Sequence, residues 1–452
     1  MSERIFRRKI YQKLLDWKNT EKGGTAMLIE GARRVGKSTI VEEFAKKEYR
    51  SYLLIDFSTA SVTVKNLFRD ISNLDMLFTT LQVTYGVSLF PGESLIIFDE
   101  IQKCPLARQA IKHLVKDGRF HYIETGSLLG IKMKKSRNTD ETKILIPSEE
   151  HRLTMHPMDY EEFRWAMNDT ATLPLLSQVL EKWTPLGDAT NRKLMRDFRL
   201  YVLVGGMPQA VNTYLDTLDL SMVDQIKRNI ISLYDEDFYE LDSTGKASLM
   251  FHAIPAQLNS NAMRYQVGSV IEGGRADRIA KQISILKESM AVNIAYHSND
   301  PSAGLAMHIN PDCFKLFCGD TGLFVTLAFW DSDFTENIIY QKMLNDKLSA
   351  NLGYIYENAV AQMLIASGKN LYYHTFPTGD GRHNYEVDFL IAKGNGICPI
   401  EVKSSQSREH PSIDAFIQKY SQRIKQSYLI HAKDMKKEDP LELIPFYMTS
   451  LI

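Results

Sequence analysis

The period of the apolar positions changes several times along this chain, and the changes divide it. Ala26–Glu30 (AMLIE), 94–98 (SLIIF) and 121–124 are short apolar runs of the kind that form buried strands. After the first of them, Ile40, Val41, Phe44 and Ala45 recur at helical spacing. Buried strands alternating with helices predict an α/β fold with a parallel sheet.

Residues 156–240 change to a helical period. Leu194, Phe198, Tyr201, Val202 and Gly205 share one face, and Gly205-Gly206 with Pro208 ends that run. Helices are expected at 248–258 and 276–290, the second with Ile279, Ile283, Leu286 and Met290 on one side. Strands are expected at 292–297 and 305–309, around an Asn-Asp-Pro turn. Helix, helix and hairpin suit a winged helix. Its exposed face would offer Arg275, Arg278, Lys281 and Lys287 to phosphates, or serve as the solvated face of an adaptor. Farther on, 351–367 is an amphipathic helix, 385–391 alternates like a strand, and Gly394-Asn395-Gly396 turns the chain into 397–403.

Composition adds limits. The chain has 452 residues, 44% hydrophobic and 24% charged, which is ordinary for two to four globular domains and excludes a mostly disordered chain. The net charge of -1 excludes binding to nucleic acid through bulk positive charge. The balance is uneven: residues 1–150 carry 25 basic and 19 acidic residues, 151–339 carry 16 and 24, and 340–452 carry 13 and 12. Any DNA contact should therefore be local. The acidic stretch 235–242 has no calcium-loop spacing and reads as a solvated face. Four scattered cysteines (Cys104, Cys313, Cys318, Cys398) give neither a disulfide framework nor zinc spacing. No apolar run reaches about 18 residues and the charged N-terminus has no signal-like core, so a cytoplasmic protein without membrane contact is expected.

The loop GARRVGKS after the first run sets Gly31, Gly36, Lys37 and Ser38 at the spacing G-x-x-x-x-G-K-[ST]. Between a strand and a helix, that spacing is a phosphate-binding loop. Glycines let the backbone curl so that N–H groups converge on an anion, and the helix N-terminus adds its dipole. The loop residues Gly31, Arg33, Arg34, Val35, Gly36, Lys37, Ser38 and Thr39 are expected to hold ATP. Lys37 would carry charge to the β- and γ-phosphates, and Ser38 would ligate Mg²⁺. The run 94–98 ends in Asp99 and Glu100, where an α/β sheet places its ligand. Asp99 is expected on Mg²⁺ and Glu100 on the attacking water. Thr125 and Ser127, after the third run, are further candidates for the γ-phosphate or the water, unless Thr125-Gly126-Ser127 is only a turn. The basic stretch 132–143 reads as an exposed loop. Arg137 or Arg152 could act as an arginine finger toward a neighbouring subunit, and the sequence does not choose between them.

GARRVGKST, LIIFDEIQK, ETGS and RLTMHPMDYEEF together resemble the bacterial and archaeal AAA+ ATPases that carry a C-terminal domain of unknown function. GGMPQAV at 205–211 and GDTGLF at 319–324 are similar to later landmarks of that family. The resemblance implies an AAA+ core at 1–155, a helical lid at 156–240, a winged-helix-like segment at 241–335, and ATP and ADP as ligands; it suggests a homo-oligomeric ring, with a monomer whose phosphate-binding loop is occluded as the alternative.

The last segment, 340–452, carries its own constellation. In 385–391, Glu386 and Asp388 share one face; in 397–403, Glu401 and Lys403 do. One hairpin can gather Asp388, Glu401 and Lys403, with Glu357 brought from the helix. Grouped carboxylates bind Mg²⁺, which polarises a phosphodiester, and a nearby lysine positions water. The spacing resembles the PD-(D/E)xK nuclease superfamily, although Val387 stands where its proline usually does. It implies Asp388 and Glu401 as metal ligands, Glu357, Asp388, Glu401 and Lys403 as catalytic residues, and DNA as the partner. Arg408, Lys419, Arg423 and Lys425 would track its backbone. Two functions follow as expectations: an ATPase coupled to a Mg²⁺-dependent nuclease-like domain, or a nucleotide-dependent signalling or binding switch whose nuclease-like domain does not cleave.

Overall fold

The structure, a computed structural model, describes residues 4–126, 149–260, 262–301, 304–331, 337–347, 353–404 and 410–452. Two compact units divide the chain, one running to His156 and the other from Pro157 to Ile452. Among the described residues no helix is long and apolar enough to cross a membrane.

The first unit is α/β. Strands β1 (Ala26–Glu30), β2 (Ser51–Asp56), β3 (Ser94–Asp99), β4 (His121–Gly126) and β5 (Glu150–Thr154) form one sheet in the order β2-β3-β4-β1-β5, and all neighbours pair in parallel. Every residue of β1, β3 and β4 is buried. A parallel sheet is covered on both faces, so its central strands must read as continuous apolar runs, as these do. Phe57, Phe68 and Phe98 meet with ring centroids 5.5 to 5.7 Å apart. Such aromatic pairs add about 0.5–1.5 kcal/mol each beyond area burial. The register sets Glu30 beside Gly126 and Asp56 beside Asp99, so the loops after β1, β3 and β4 open at one edge of the sheet.

The second unit begins with helices. The stretch 157–163 starts one: the Asp159 carboxylate accepts from the Glu162 N–H at 2.9 Å, and Glu162 accepts from the Asp159 N–H at 3.3 Å. This reciprocal cap opens the helix Tyr160–Ala166. The helices Asp188–Val204, Pro208–Thr217 and Leu220–Leu241 follow. The landmarks at 205–211 and 319–324 meet in space. Asp320 accepts from the Gly206 N–H at 2.6 Å and from the Leu323 N–H at 2.9 Å. Gly205 has φ +84°, and a Cβ there would lie 2.4 Å from an Asp320 oxygen. A Cβ at Gly206 would lie 2.0 Å from the Met158 carbonyl oxygen. These glycines are required by close backbone approach.

The second sheet has eight strands in the order β12-β13-β11-β10-β9-β8-β6-β7. They are β6 (Val292–Ser298), β7 (Ile309–Cys318), β8 (Tyr372–Pro377), β9 (Asn384–Lys393), β10 (Gly396–Lys403), β11 (Tyr428–His431), β12 (Lys436–Glu438) and β13 (Leu441–Pro445). Sequence pattern placed a strand at 305–309, but Leu305–His308 is a turn of 3₁₀ helix and Met307 is 81% exposed. The strand starts at Ile309, because the buried run is Phe314–Cys318. The β6–β7 hairpin joins the C-terminal sheet: β6 pairs with β8 through Tyr296↔Tyr372 and His297↔Tyr373. The helix expected over 248–258 is two, Lys246–His252 and Ile254–Asn259. Pro255 has no N–H to continue the first ladder.

Candidate functional site

The loop after β1 is shaped by three constraints. A Cβ on Gly31 would sit 2.4 Å from the Met155 carbonyl oxygen, so only glycine fits beside the chain leaving β5. Arg34 and Gly36 both have positive φ, +70° and +95°, which curls the loop. The buried Arg8 guanidinium donates to the Val35 carbonyl at 2.8 Å and to the His156 carbonyl at 2.6 Å, tying the loop to the sheet. Nothing in the sequence around Arg8 signals this role. The helix Lys37–Glu48 starts directly from the loop.

Lys37 is buried, and its ammonium donates to the Gly31 and Ala32 carbonyls at 2.9 and 3.0 Å. Ser38 donates its hydroxyl proton to Asp99 at 2.8 Å, and the Thr125 hydroxyl donates to the same carboxylate oxygen. Loop, β3 and β4 thus bring Ser38, Asp99 and Thr125 to one point. Glu100 adopts a left-handed conformation, φ +53° and ψ 47°, costly for a residue with a Cβ. The Gln102 side-chain amide holds its carboxylate. Arg33, Arg34 and Thr39 are exposed and Val35 is buried. Ser127, Arg137 and the stretch 132–143 lie outside the described residues. Arg152 is engaged within the chain, 2.9 Å from Glu150 and 3.7 Å from Glu30.

A buried charge network lies under this site. Arg108 is 1% exposed and bridges Glu124 on β4 at 2.9 Å and Glu150 on β5 at 2.8 Å. Burial pushes the Glu124 carboxyl well above its ordinary range; Arg108 opposes the shift and Glu150 adds to it. Sequence reading missed all three residues. The signal was a glutamate inside the run 121–124.

In the second unit the expected constellation forms around a residue that was not expected. The helix Gly353–Ala366 carries Glu357, β9 carries Glu386 and Asp388, and β10 carries Glu401 and Lys403. The β9–β10 ladder runs from Gly396↔Lys393 to Ile400↔Phe389 across the turn at Gly394. Beyond it, the Asp388 carboxylate accepts from the Val402 N–H at 2.8 Å. Lys403 pairs with Glu401 at 2.8 Å. Lys315, from β7, enters among these carboxylates. Its ammonium lies 3.2 Å from a Glu357 oxygen and also pairs with Glu386. Burial pushes the Glu357 carboxyl up to about 7, with Lys315 opposing and Asp388 and Glu386 adding. Burial likewise pushes Glu401 up to about 8. Lys315 interrupts the buried apolar run Phe314–Cys318, and that lone charge was its sequence signal.

The two sites differ as hosts for a cation. Ser38 and Asp99 present oxygens side by side at the mouth of the loop, a donor set that suits Mg²⁺. In the C-terminal cluster an oxygen of each carboxylate is already met by Lys315, Lys403 or the Val402 N–H. Among the described residues no three or more His, Cys, Asp and Glu side chains are gathered closely enough to hold a metal ion. As described, the C-terminal donor set does not fit one.

Residues 24–164 match the family model described as an AAA domain. Residues 195–333 and 352–448 match two families, each described as a domain of unknown function (DUF8612 and DUF4143). No curated protein matches the sequence. Among solved structures, a signal transduction ATPase with numerous domains (STAND) bearing a tetratricopeptide repeat sensor, from Pyrococcus horikoshii, aligns at 9% identity and a TM-score of 0.27. That alignment covers 81% of this chain and 46% of the other. The protein VC1899 from Vibrio cholerae aligns at 8% identity and a TM-score of 0.18, covering 94% and 95%. Neither score indicates a shared fold.

Proposed function

We propose that this protein binds and hydrolyses ATP at the loop after β1 and uses the cycle to control its C-terminal segment. The observation that carries the reading is the convergence of Ser38, Asp99 and Thr125 beside the loop that holds Lys37. Within an AAA domain, residues from Gly31 to Thr39 would cradle the phosphates, with their N–H groups and the helix N-terminus supplying positive potential. Lys37 now donates to neutral carbonyls, which are weaker partners than phosphate oxygens. Ser38 and Asp99 would hold Mg²⁺, which neutralises charge on the β- and γ-phosphates when bound. Glu100 would orient the attacking water and accept its proton once released from Gln102. Thr125, with Ser127, would contact the γ-phosphate side.

Turnover of ATP by purified protein tests this. Lys37→Ala should abolish nucleotide binding or turnover. Glu100→Gln should still bind ATP but hydrolyse it on the order of 10²-fold to 10⁴-fold more slowly. Normal turnover by the Lys37 variant would sink the assignment.

For the rest of the chain we propose a helical lid at 156–240, a winged-helix-like segment at 241–335 and a nuclease-like DNA-interacting domain at 340–452. We also propose a homo-oligomer and a cytoplasmic location. Exposed Lys419, Arg423 and Lys425 support a local phosphate-tracking surface; Arg408 lies outside the described residues. A second reading, in which this domain holds DNA or another partner without cleaving, is favoured by carboxylates already paired to Lys315 and Lys403. Incubation with plasmid or single-stranded DNA and Mg²⁺ or Mn²⁺, with and without ATP, separates the two. Cleavage lost in both Asp388→Ala and Lys403→Ala supports a nuclease; binding without cleavage supports the second reading.

A further inference from the structure

We infer that Lys315 is a built-in competitor for divalent cations: its ammonium sits among the C-terminal carboxylates and keeps a metal ion from loading there. The argument begins with where Lys315 comes from. It lies on β7, 42 residues before Glu357 and 71 before Glu386, in the segment that precedes the helix and hairpin of the constellation. Its neighbours Phe314, Leu316, Phe317 and Cys318 are all buried, and its own side chain is 7% exposed. An apolar residue at this position would avoid the cost of taking an ammonium out of water. Charge must be the reason for the residue type.

What the charge does follows from its partners. Glu357 and Glu386 each commit to Lys315, and they remain 15% and 19% exposed, so the cluster reaches solvent. Four carboxyl groups (Glu357, Glu386, Asp388, Glu401) and two ammoniums (Lys315, Lys403) share the cluster, so oxygen donors outnumber the ammoniums. One Glu401 oxygen, in a side chain only 5% exposed, has no hydrogen-bond partner among the described residues. Mg²⁺ and Mn²⁺ require several oxygens at short range, and an ammonium in their midst both takes those oxygens and repels the ion. Lys315 does both. Among the described residues the carboxylates also stand too far apart to share an ion, so one can enter only if that side chain withdraws or is removed and they close in around it.

The inference rests on reading Glu357, Asp388, Glu401 and Lys403 as a nuclease-like constellation. Its readout is ion binding without DNA or nucleotide, so a failure to cleave DNA would count against that reading and not against Lys315. Titration of the full-length protein with MnCl₂, followed by electron paramagnetic resonance and calorimetry, tests it. The wild type should show no Mn²⁺ site that Asp388→Asn or Glu401→Gln removes. Lys315→Met should gain one site per chain, about a hundredfold tighter than any wild-type binding at the cluster. Lys315→Met combined with Asp388→Asn should lose it again. A wild-type Mn²⁺ site abolished by Glu401→Gln overturns the inference, as does a folded Lys315→Met protein that binds Mn²⁺ no better than wild type. If Lys315→Met does not fold, the wild-type series against its two carboxylate variants decides alone.

Discussion

Two buried cations, Arg108 and Lys315, each bridge two carboxylates, and they are built for different ends. Arg108 is enclosed with both partners: side-chain exposures are 1% for Arg108 and 0% for Glu124 and Glu150. Its planar fork reaches carboxylates on two strands that flank β1, and a guanidinium fixes such geometry well. Lys315 is a compact point charge whose partners are partly open to water, beside Asp388, Glu401 and Lys403. An ammonium of that kind can be exchanged for another cation; an enclosed guanidinium cannot. The first bridge fixes a sheet under the nucleotide loop. The second occupies a site.

The largest effect expected from this contrast is at Arg108. Arg108→Met would leave Glu124 buried without its cation and Glu150 with Arg152 alone. Breaking a buried pair in this way costs about 3–5 kcal/mol, and urea unfolding should show the loss. Mn²⁺ should restore none of it, because the Glu124 and Glu150 side chains are 0% exposed and closed off from solvent. A variant as stable as wild type would remove the structural role assigned to the guanidinium.

Lys315→Met should cost less, about 1–3 kcal/mol, because its partners are partly hydrated. Here added Mn²⁺ should recover part of the stability, by binding the folded state only. The same unfolding curves, with and without MnCl₂, measure both variants. Rescue of Arg108→Met, or none for Lys315→Met, would erase the distinction between a strut and a site.

The two bridges also mark how far sequence reading reaches. The loop of 31–39 was legible because its chemistry is contiguous: the glycines, Lys37 and Ser38 fall within one turn and one helix start. Asp99 was legible because a carboxylate ending an apolar run is a local signal. Asp388, Glu401 and Lys403 were legible as a hairpin for the same reason. Lys315 was not, because β6 and β8 lie between β7 and β9 in the sheet, and the pattern there misplaced the strand at 305–309. Arg108, Glu124 and Glu150 belong to a helix and two strands. Arg108 and Glu150 look like ordinary surface charges until the parallel sheet closes over them, and only Glu124, inside an apolar run, stands out. The landmarks at 205–211 and 319–324 were legible as landmarks, but their role is a backbone junction that no side-chain chemistry announces.

The smallest expected effect sharpens the comparison from the carboxylate side. Burial raises Glu124 well above the usual carboxylate range in the folded state, whereas the unfolded chain titrates near the ordinary value. A raised folded pKa means that the native state keeps a proton the unfolded state has lost. Stability from this group is therefore full below the ordinary carboxylate pKa and declines as pH rises above it. Glu124→Gln replaces the carboxyl with a group of the same shape that cannot ionise. At pH 5 the variant and wild type should agree within about 1 kcal/mol. As pH rises to 8 the wild type should lose stability relative to the variant, and the difference should grow in the direction of a more stable glutamine. Urea unfolding of both proteins across that range measures it. A difference that stays flat, or grows in favour of glutamate, would mean that Arg108 faces two charged partners and that its bridge resembles the one at Lys315 more closely than its burial suggests.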